Sequence, residues 1–184
     1  MAGNKVGHLY PNQMYLSMKG YDIKILFLHG LDSSKESTKF HTIASKNKFC
    51  INVDYRNLNF ETVQYFYQDT IQKIKPDLLI GHGIGGYWAL KMSYLFQLPT
   101  IVANPSLTPT FRADYPKLEE VDLNHDIPQV AYLELGDELV DMHKTQRFLE
   151  HFMFIETYMG GYHRLEHPEN INKLIAFLQN NYNL

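Results

Sequence analysis

The residues best suited to chemistry lie in three short segments that contain glycine. Residues 81–86 read Gly-His-Gly-Ile-Gly-Gly, and a serine at Gly83 would make this string the sharp strand-to-helix turn that presents a nucleophilic hydroxyl. Farther along the chain, Asp137 follows one glycine, and His163 lies two residues after a glycine pair. The three positions occur in the order nucleophile, acid and base, which indicates acyl transfer by a hydroxyl that passes its proton to histidine.

Gly83 has no side chain, so the oxygen nucleophile of this chemistry is missing. Loss of such a nucleophile lowers turnover by several orders of magnitude, which excludes an ordinary acyl-enzyme cycle for this chain as written. Three interpretations remain open: a natural pseudoenzyme that binds a small molecule or a protein, direct attack by a water that His163 and Asp137 activate, and an engineered inactive variant. Glycine would also relieve the backbone strain that a side chain suffers at this turn.

Further site residues are predicted from their positions near strand ends. The backbone N–H groups of Leu31 and Ile84 are candidates for an oxyanion hole. Candidate substrate-binding residues are His29, Gly30, Asp32 and His82. His82 has a second interpretation as a packed neighbour of the turn. Asp141 competes with Asp137 as the acid because it follows the same strand, and the Gly-Asp-Glu context favours Asp137.

Two motifs suggest metal or dinucleotide chemistry, and both interpretations are disfavoured. Residues 163–167 read His-Arg-Leu-Glu-His, a metalloenzyme motif that needs both imidazoles on one helix face. The preceding glycine pair and the following Pro168 disfavour that helix. A dinucleotide-binding loop at 81–86 would need an acid about twenty residues later, whereas the next strand ends in Asn104 and a proline. We therefore expect no metal and no cofactor.

Apolar runs of strand length alternate with helical patterns along most of the chain. The predicted strands cover residues 23–28, 49–53, 77–80, 100–103, 130–135 and 152–158, and helical spacing covers 63–74, 87–96 and a segment after Pro168. This alternation predicts an α/β fold with a mostly parallel sheet covered on both faces. Residues 105–128 are predicted to form a surface excursion or minimal cap. Residues 1–22 are predicted to be an N-terminal extension or edge strand, and residues 23–184 a single domain.

Composition and charge limit the expected partners. The chain has 184 residues, of which 45% are hydrophobic and 20% charged, and its formal net charge is −3. This balance gives no general attraction to nucleic acid or to an anionic membrane, and no apolar run is long enough to span a bilayer. Cys50 is the single cysteine, which excludes an internal disulfide. With no recognisable signal peptide, we expect a cytoplasmic protein.

Five segments in matching order resemble the small, nearly lidless bacterial esterases of the YqiA-like family, within the α/β-hydrolase superfamily. The segments are 26–34 with Lys39 downstream, 81–87, 104–109, 136–140 and 160–163. The resemblance implies a single-domain α/β-hydrolase fold with a minimal cap, and a serine nucleophile with Asp137 and His163 as its partners. It also implies hydrolysis of carboxyl esters or thioesters. Since Gly83 departs from the family pattern, the expected ligand is a small acyl ester or thioester, or a protein partner, on an esterase scaffold. The alternative is a binding or assembly protein that reuses the fold.

Overall fold

A computed structural model of the protein describes residues 22–182 and 184. Its strands are β1 (Ile25–Leu28), β2 (Lys48–Cys50), β3 (Leu78–His82), β4 (Thr100–Ala103), β5 (Gln129–Glu134) and β6 (Phe154–Tyr158). They form one sheet in the order β2-β1-β3-β4-β5-β6, and every neighbouring pair is parallel. This arrangement confirms the predicted α/β fold. The predicted N-terminal extension lies outside the described residues except for Asp22.

Five α-helices connect or follow these strands. They are α1 (Thr38–Thr42), α2 (Phe60–Ile74), α3 (Ile84–Phe96), α4 (Met142–Leu149) and α5 (Asn170–Tyr182). The Asn59 side chain accepts a hydrogen bond from the Thr62 amide and caps α2, so that helix begins three residues before the predicted start. It ends at Lys75 in a left-handed conformation, immediately before Pro76.

Two apolar clusters cover the two faces of the sheet. Successive strand residues point to opposite faces, so Leu26 packs with α2, α3 and α4, whereas Ile25 packs with the segment containing α1 and with α5. The buried stripe predicted for α5 is present at Ile171, Leu174, Ile175 and Leu178. Parallel strands buried on both faces read as continuous apolar runs, which explains the sequence pattern.

The excursion 105–128 contains a single short 3₁₀-helix, Glu120–Asp122, and no strand. Its Tyr115 side chain is buried, and the Tyr87 hydroxyl of α3 donates to the carbonyl of Pro116 at 2.8 Å. A largely buried ion pair joins Lys91 of α3 to Asp122 at 3.1 Å. The minimal cap is therefore a short segment that packs along α3 and is held there by a hydrogen bond and an ion pair.

The sheet register brings the carboxyl ends of the central strands to one edge. Leu28 pairs with Gly81 of β3, and Ala103 of β4 pairs with both His82 and Tyr132. The loops that leave these strands therefore meet, as they do in other parallel sheets. Within the described part of the chain, no helix is both long and apolar enough to cross a membrane.

Candidate active site

Gly83 occupies a sharp turn between β3 and α3. Its backbone has φ +57° and ψ −122°, a conformation that side-chain-bearing residues rarely adopt. A Cβ at Gly81 would collide with the backbone of Gly85, and a Cβ at Gly85 would collide with the carbonyl of Leu28. The turn therefore requires small residues on both sides, because the helix begins pressed against its own strand and against β1.

Asp137 and His163 form a hydrogen-bonded acid–base pair on neighbouring loops. The Nδ1 atom of His163 lies 2.8 Å from Oδ2 of Asp137, whose side chain is fully buried. Asp137 Oδ2 also accepts from Nδ2 of Asn104 at 2.9 Å, and its Oδ1 accepts from the amides of Leu139 and Val140 at 2.8 and 2.9 Å. Because an ionised carboxylate only accepts hydrogen bonds, the network assigns the proton to Nδ1 and leaves Nε2 with a free lone pair.

The electrostatics of Asp137 favour its charged form. Burial alone would raise the pKa of this carboxyl, but hydrogen bonds from His163 and from the Val140 and Leu139 amides lower the pKa below its ordinary value. An ionised Asp137 at neutral pH orients the His163 ring and stabilises any positive charge that forms on it.

The base and the elbow face each other across a short gap. A Cβ placed on Gly83 would lie 3.4 Å from Nε2 of His163 and 3.7 Å from Cα of Gly30. A hydroxyl one bond farther out would be within hydrogen-bonding reach of that nitrogen. The structure therefore brings together Gly83, Asp137 and His163, the three positions that the sequence singled out.

The two predicted oxyanion donors belong to the segments that border the same gap. Ile84 is the first residue of α3, so its N–H has no acceptor within the helix, and the positive end of the helix dipole is at this point. Leu31 follows Gly30, whose Cα borders the Gly83 position. Their role in holding an oxyanion stays a prediction.

His29 supports the neighbouring loop from a buried position. Its ring is 1% exposed, its Nδ1 donates to the Gly30 carbonyl at 2.8 Å, and its Nε2 accepts from the Val53 amide at 2.9 Å. Burial lowers the pKa of this imidazole. Both ring nitrogens therefore bond to the backbone and support the Gly30 turn, and the substrate contact of His29 stays a prediction.

His82 is also a packed neighbour of the turn, as its second interpretation proposed. Its Nε2 donates to the carbonyl of His163 at 2.6 Å, and a Cβ at Gly30 would come within 2.9 Å of its Nδ1. Burial is the main cause that lowers the pKa of His82 to about 3, with smaller contributions from Lys39 and His163. The neutral ring lies between two segments of the site, and its role in substrate binding stays a prediction.

Asp32 lies at the rim of an open cleft beside the oxyanion loop. Its carboxylate forms a two-pronged ion pair with Arg56 at 2.6 and 2.5 Å, and both side chains are more than half exposed. The cleft has a volume of about 380 Å³ and is lined by residues 31–34 and 52–56. Asp32 therefore remains a candidate for contact with a ligand that enters from this side.

Asp141 lies apart from the acid–base pair. It is the N-cap of α4, where its side chain accepts from the Lys144 amide at 2.9 Å. The two histidines of the 163–167 motif likewise have different partners, because His167 pairs with Glu169 at 3.0 Å. Among residues 22–182 and 184, no cluster of three His, Cys, Asp or Glu side chains could hold a metal ion.

Comparison with known proteins identifies the family. A sequence profile of the uncharacterised protein family UPF0227 matches residues 24–135, more than half of the chain. The chain belongs to UPF0227. A family member from Vibrio vulnificus is 24% identical over 182 residues, and the match covers 85% of this chain and 99% of that protein. A member from Shewanella woodyi is 32% identical over 96 residues, and there the chain spans 52% of the length of its relative.

Solved structures similar to this UPF0227 chain are α/β-hydrolases and esterases. An α/β-hydrolase enzyme from the metagenome of Mar Chica lagoon sediments superimposes with a TM-score of 0.71 at 14% identity, covering 90% of this chain and 94% of that one. The esterase domain of a Rhodothermus marinus protein gives a TM-score of 0.63 at 16% identity, covering 89% of each chain. At these identities the similarity establishes the fold alone, and that fold is the one shared by these α/β-hydrolases and esterases.

Two residues of the UPF0227 site have roles that the sequence did not indicate. Asn104 links the backbone of Glu134 to the carboxylate of Asp137, because its Oδ1 accepts from the Glu134 amide and its Nδ2 donates to Asp137. Glu134 is completely buried at the end of β5. The signals in the sequence were a polar residue at or near the end of an otherwise apolar strand and, for Asn104, its place in the segment 104–109 that resembles the esterase family.

Proposed function

We propose that this UPF0227 chain binds a small acyl ester or thioester on an esterase scaffold and forms no acyl-enzyme. The observation that carries the proposal is Gly83 at the elbow, where a Cβ would lie 3.4 Å from Nε2 of His163. The scaffold supplies a base, its orienting acid and candidate oxyanion donors, but Gly83 has no side-chain atom that could accept the acyl group. The chain is therefore proposed to be a pseudo-hydrolase.

The proposed ligand class follows from what the remaining groups recognise. N–H groups at a helix N-terminus and in the adjacent turn complement the oxygen of a polarised carbonyl, which esters and thioesters share. Two similar structures are esterases by name, the Rhodothermus domain and the naproxen esterase of Bacillus subtilis, which has a TM-score of 0.68 at 14% identity. A cytoplasmic location is part of the proposal and rests on the single cysteine.

Direct hydrolysis by water is the second candidate, because the Asp137–His163 pair has the geometry of a functional general base. In this reaction Nε2 of His163 takes a proton from a water whose oxygen attacks the carbonyl carbon. The tetrahedral oxyanion then collapses, the bond to the alcohol or thiol breaks, and the leaving group takes the proton back from His163. This route predicts slow turnover that depends on His163 and needs no side chain at position 83.

The deciding experiment compares hydrolysis of p-nitrophenyl acetate and butyrate by the chain and by Gly83→Ser, Gly83→Ala and His163→Ala, with His163→Ala also placed in the Gly83→Ser background. We expect turnover only in Gly83→Ser, lost by a factor of about 10³ or more when His163→Ala is added. Gly83→Ala is the matched control, because it introduces the same backbone strain without the oxygen.

Other outcomes have defined meanings. Turnover by the unaltered chain that disappears in His163→Ala would replace the pseudo-hydrolase with direct water attack. Absence of turnover in Gly83→Ser, with the fold intact by circular dichroism, would contradict an intact esterase site and favour a protein-binding role.

The same background tests which aspartate is the acid. In Gly83→Ser, we expect Asp137→Asn to lower kcat by about 10⁴-fold, because an amide stabilises the wrong tautomer of His163. Asp141→Asn should leave kcat almost unchanged, since Asp141 caps α4 and an asparagine can cap equally well. Equal losses in the two variants would show that the acid is not Asp137 alone.

A further inference from the structure

Glu134 is a buried carboxylate that accepts four hydrogen bonds and belongs to neither the acid nor the base of the site. It is the last residue of β5, its exposure is 0%, and it pairs in register with Tyr158 of β6. One oxygen accepts from the Tyr132 hydroxyl at 3.1 Å and the His167 amide at 2.7 Å. The other accepts from the amides of Tyr162 at 3.3 Å and Glu166 at 2.6 Å.

All three amides belong to the loop that carries His163. Tyr162 precedes His163 directly, and Glu166 and His167 follow within four residues. Backbone amides that converge on one carboxylate must point inward from the loop, so Glu134 determines the path of the chain on both sides of the base. A buried carboxylate that lost these donors would be strongly destabilised, which makes the arrangement mutually dependent.

Gly161 shows how closely the loop approaches this carboxylate. It has φ +80°, and a Cβ at this position would collide with the carboxyl group of Glu134. The backbone therefore passes directly over the carboxylate, and a glycine is needed for both its conformation and its lack of volume. Glu134 also connects to the acid, because Asn104 bonds its backbone amide and carbonyl and the Asp137 carboxylate.

We infer that Glu134 is a positioning residue that holds His163 in line with Asp137 and with position 83. It acts through the loop backbone and touches no reacting atom. Glutamine at this position has nearly the same shape but one acceptor oxygen, so its NH₂ group would face two of the four donors. The Asp137–His163 hydrogen bond should then lose its fixed geometry, although both residues are still present.

The test that needs no catalysis is nitrogen NMR of the whole chain labelled with ¹⁵N-histidine, with His163→Ala used to assign the His163 signals. In the unaltered chain we expect one tautomer with a strongly downfield Nδ1–H proton. Glu134→Gln should lose that proton signal and show a mixture of tautomers. The matched control Glu166→Gln changes an exposed side chain of the same loop and should keep the original spectrum.

A second, kinetic test of the role of Glu134 depends on the proposed function. In the Gly83→Ser background, Glu134→Gln should lower kcat by about 10²-fold with KM little changed, since a displaced base impairs the reaction more than binding. If Gly83→Ser shows no turnover, the proposed function fails while the NMR result still decides the role of Glu134.

An unchanged His163 spectrum in folded Glu134→Gln would overturn the inference. If Glu134→Gln does not fold, Glu134→Asp, which keeps the charge but withdraws the carboxylate from the loop amides by one methylene, is measured in the same way. A shifted or broadened His163 Nδ1–H signal in Glu134→Asp supports the inference, and an unaltered signal overturns it.

Discussion

At the scale of single residues, a side chain at position 83 has opposite effects on stability and on catalysis. A side chain at φ +57° costs about 1–3 kcal/mol, which glycine avoids. An esterase of this fold accepts that strain because the strained turn exposes its nucleophile. A chain that only binds its ligand gains nothing from the strain, so glycine at this position suits the proposed pseudo-hydrolase.

The buried imidazole of His82 predicts that acid destabilises this protein from near neutrality. Burial lowers the pKa of His82 to about 3, whereas the unfolded chain has a histidine pKa near 6.5. Between these two values the unfolded state binds the extra proton, so the free energy of unfolding falls as the pH falls. From pH 7.5 to 5.0 the contribution of His82 amounts to about 2 kcal/mol.

His82→Gln isolates this contribution, because glutamine retains an N–H donor for the His163 carbonyl and does not titrate. Urea unfolding at pH 7.5 and 5.0 should show a loss of stability about 2 kcal/mol smaller in His82→Gln than in the unaltered chain. The exposed His143 provides the control, because His143→Gln makes the same chemical change at the surface. Identical pH dependence in all three proteins would contradict a neutral buried His82.

Local motifs were sufficient to predict Gly83, Asp137 and His163, because each lies in a turn whose sequence pattern is short and continuous. Glu134 and Asn104 have partners that are distant in sequence, and the pairing of β5 with both β4 and β6 brings those partners together. The composition of the chain and the spacing of its residues do not reveal which strands pair. For the same reason the pattern could not show that His29 bonds to the backbone of Val53.

At the scale of elements, strand positions were predicted well and strand ends less well. The second strand was predicted over 49–53 but covers Lys48–Cys50, because the Val53 amide bonds to the ring of His29 and leaves the ladder. The last strand was predicted from residue 152 but begins at Phe154, since the amides of residues 152 and 153 bond to the Leu149 carbonyl and complete the end of α4. These boundaries depend on contacts that hydrophobic periodicity does not encode.

The helix α4 was not predicted from the sequence at all. Only Met142, Thr145 and Leu149 of its eight residues are buried, so its apolar stripe is too sparse to stand out. By contrast, α3 is buried along most of its length and was predicted as a deeply packed helix.

Because α3 packs closely against β1, a single methyl group added at Gly85 should lower the stability of the protein strongly. A Cβ at Gly85 would collide with the backbone carbonyls of Leu28 and His29, which cannot move without separating the helix from the sheet. We expect Gly85→Ala to lower the free energy of unfolding by about 3 kcal/mol or more, measured by urea titration.

Gly160→Ala is the matched control, because its Cβ would meet a side chain and no backbone: the ring of Tyr158 at 3.1 Å, in a residue that is 37% exposed. Its stability should stay within about 0.5 kcal/mol of the unaltered chain. Equal losses at the two glycines would show that the approach of α3 to β1 is not the source of the cost.

At the scale of the whole molecule, an aromatic cluster joins the minimal cap to the main body. The ring of Tyr115 in the excursion lies 5.4 Å from Phe60 of α2 and 5.7 Å from Trp88 of α3, both edge-to-face. It also lies 4.8 Å from Phe111 within the excursion. Such pairs add to the apolar area that the rings bury, so the excursion should unfold together with the helices.

Tyr115→Ala tests this cooperativity. Tyr115 is 6% exposed, and removing a buried aromatic ring of this kind costs about 3–5 kcal/mol. We expect that loss in a single urea transition with an unchanged slope, monitored in parallel by the fluorescence of Trp88 and by circular dichroism. Tyr65→Ala, which removes a ring that is 71% exposed on α2, should change stability by no more than about 0.5 kcal/mol. A fluorescence transition that precedes the loss of helix signal would instead show that the excursion detaches independently, and that ligand access is governed by a segment less stable than the sheet.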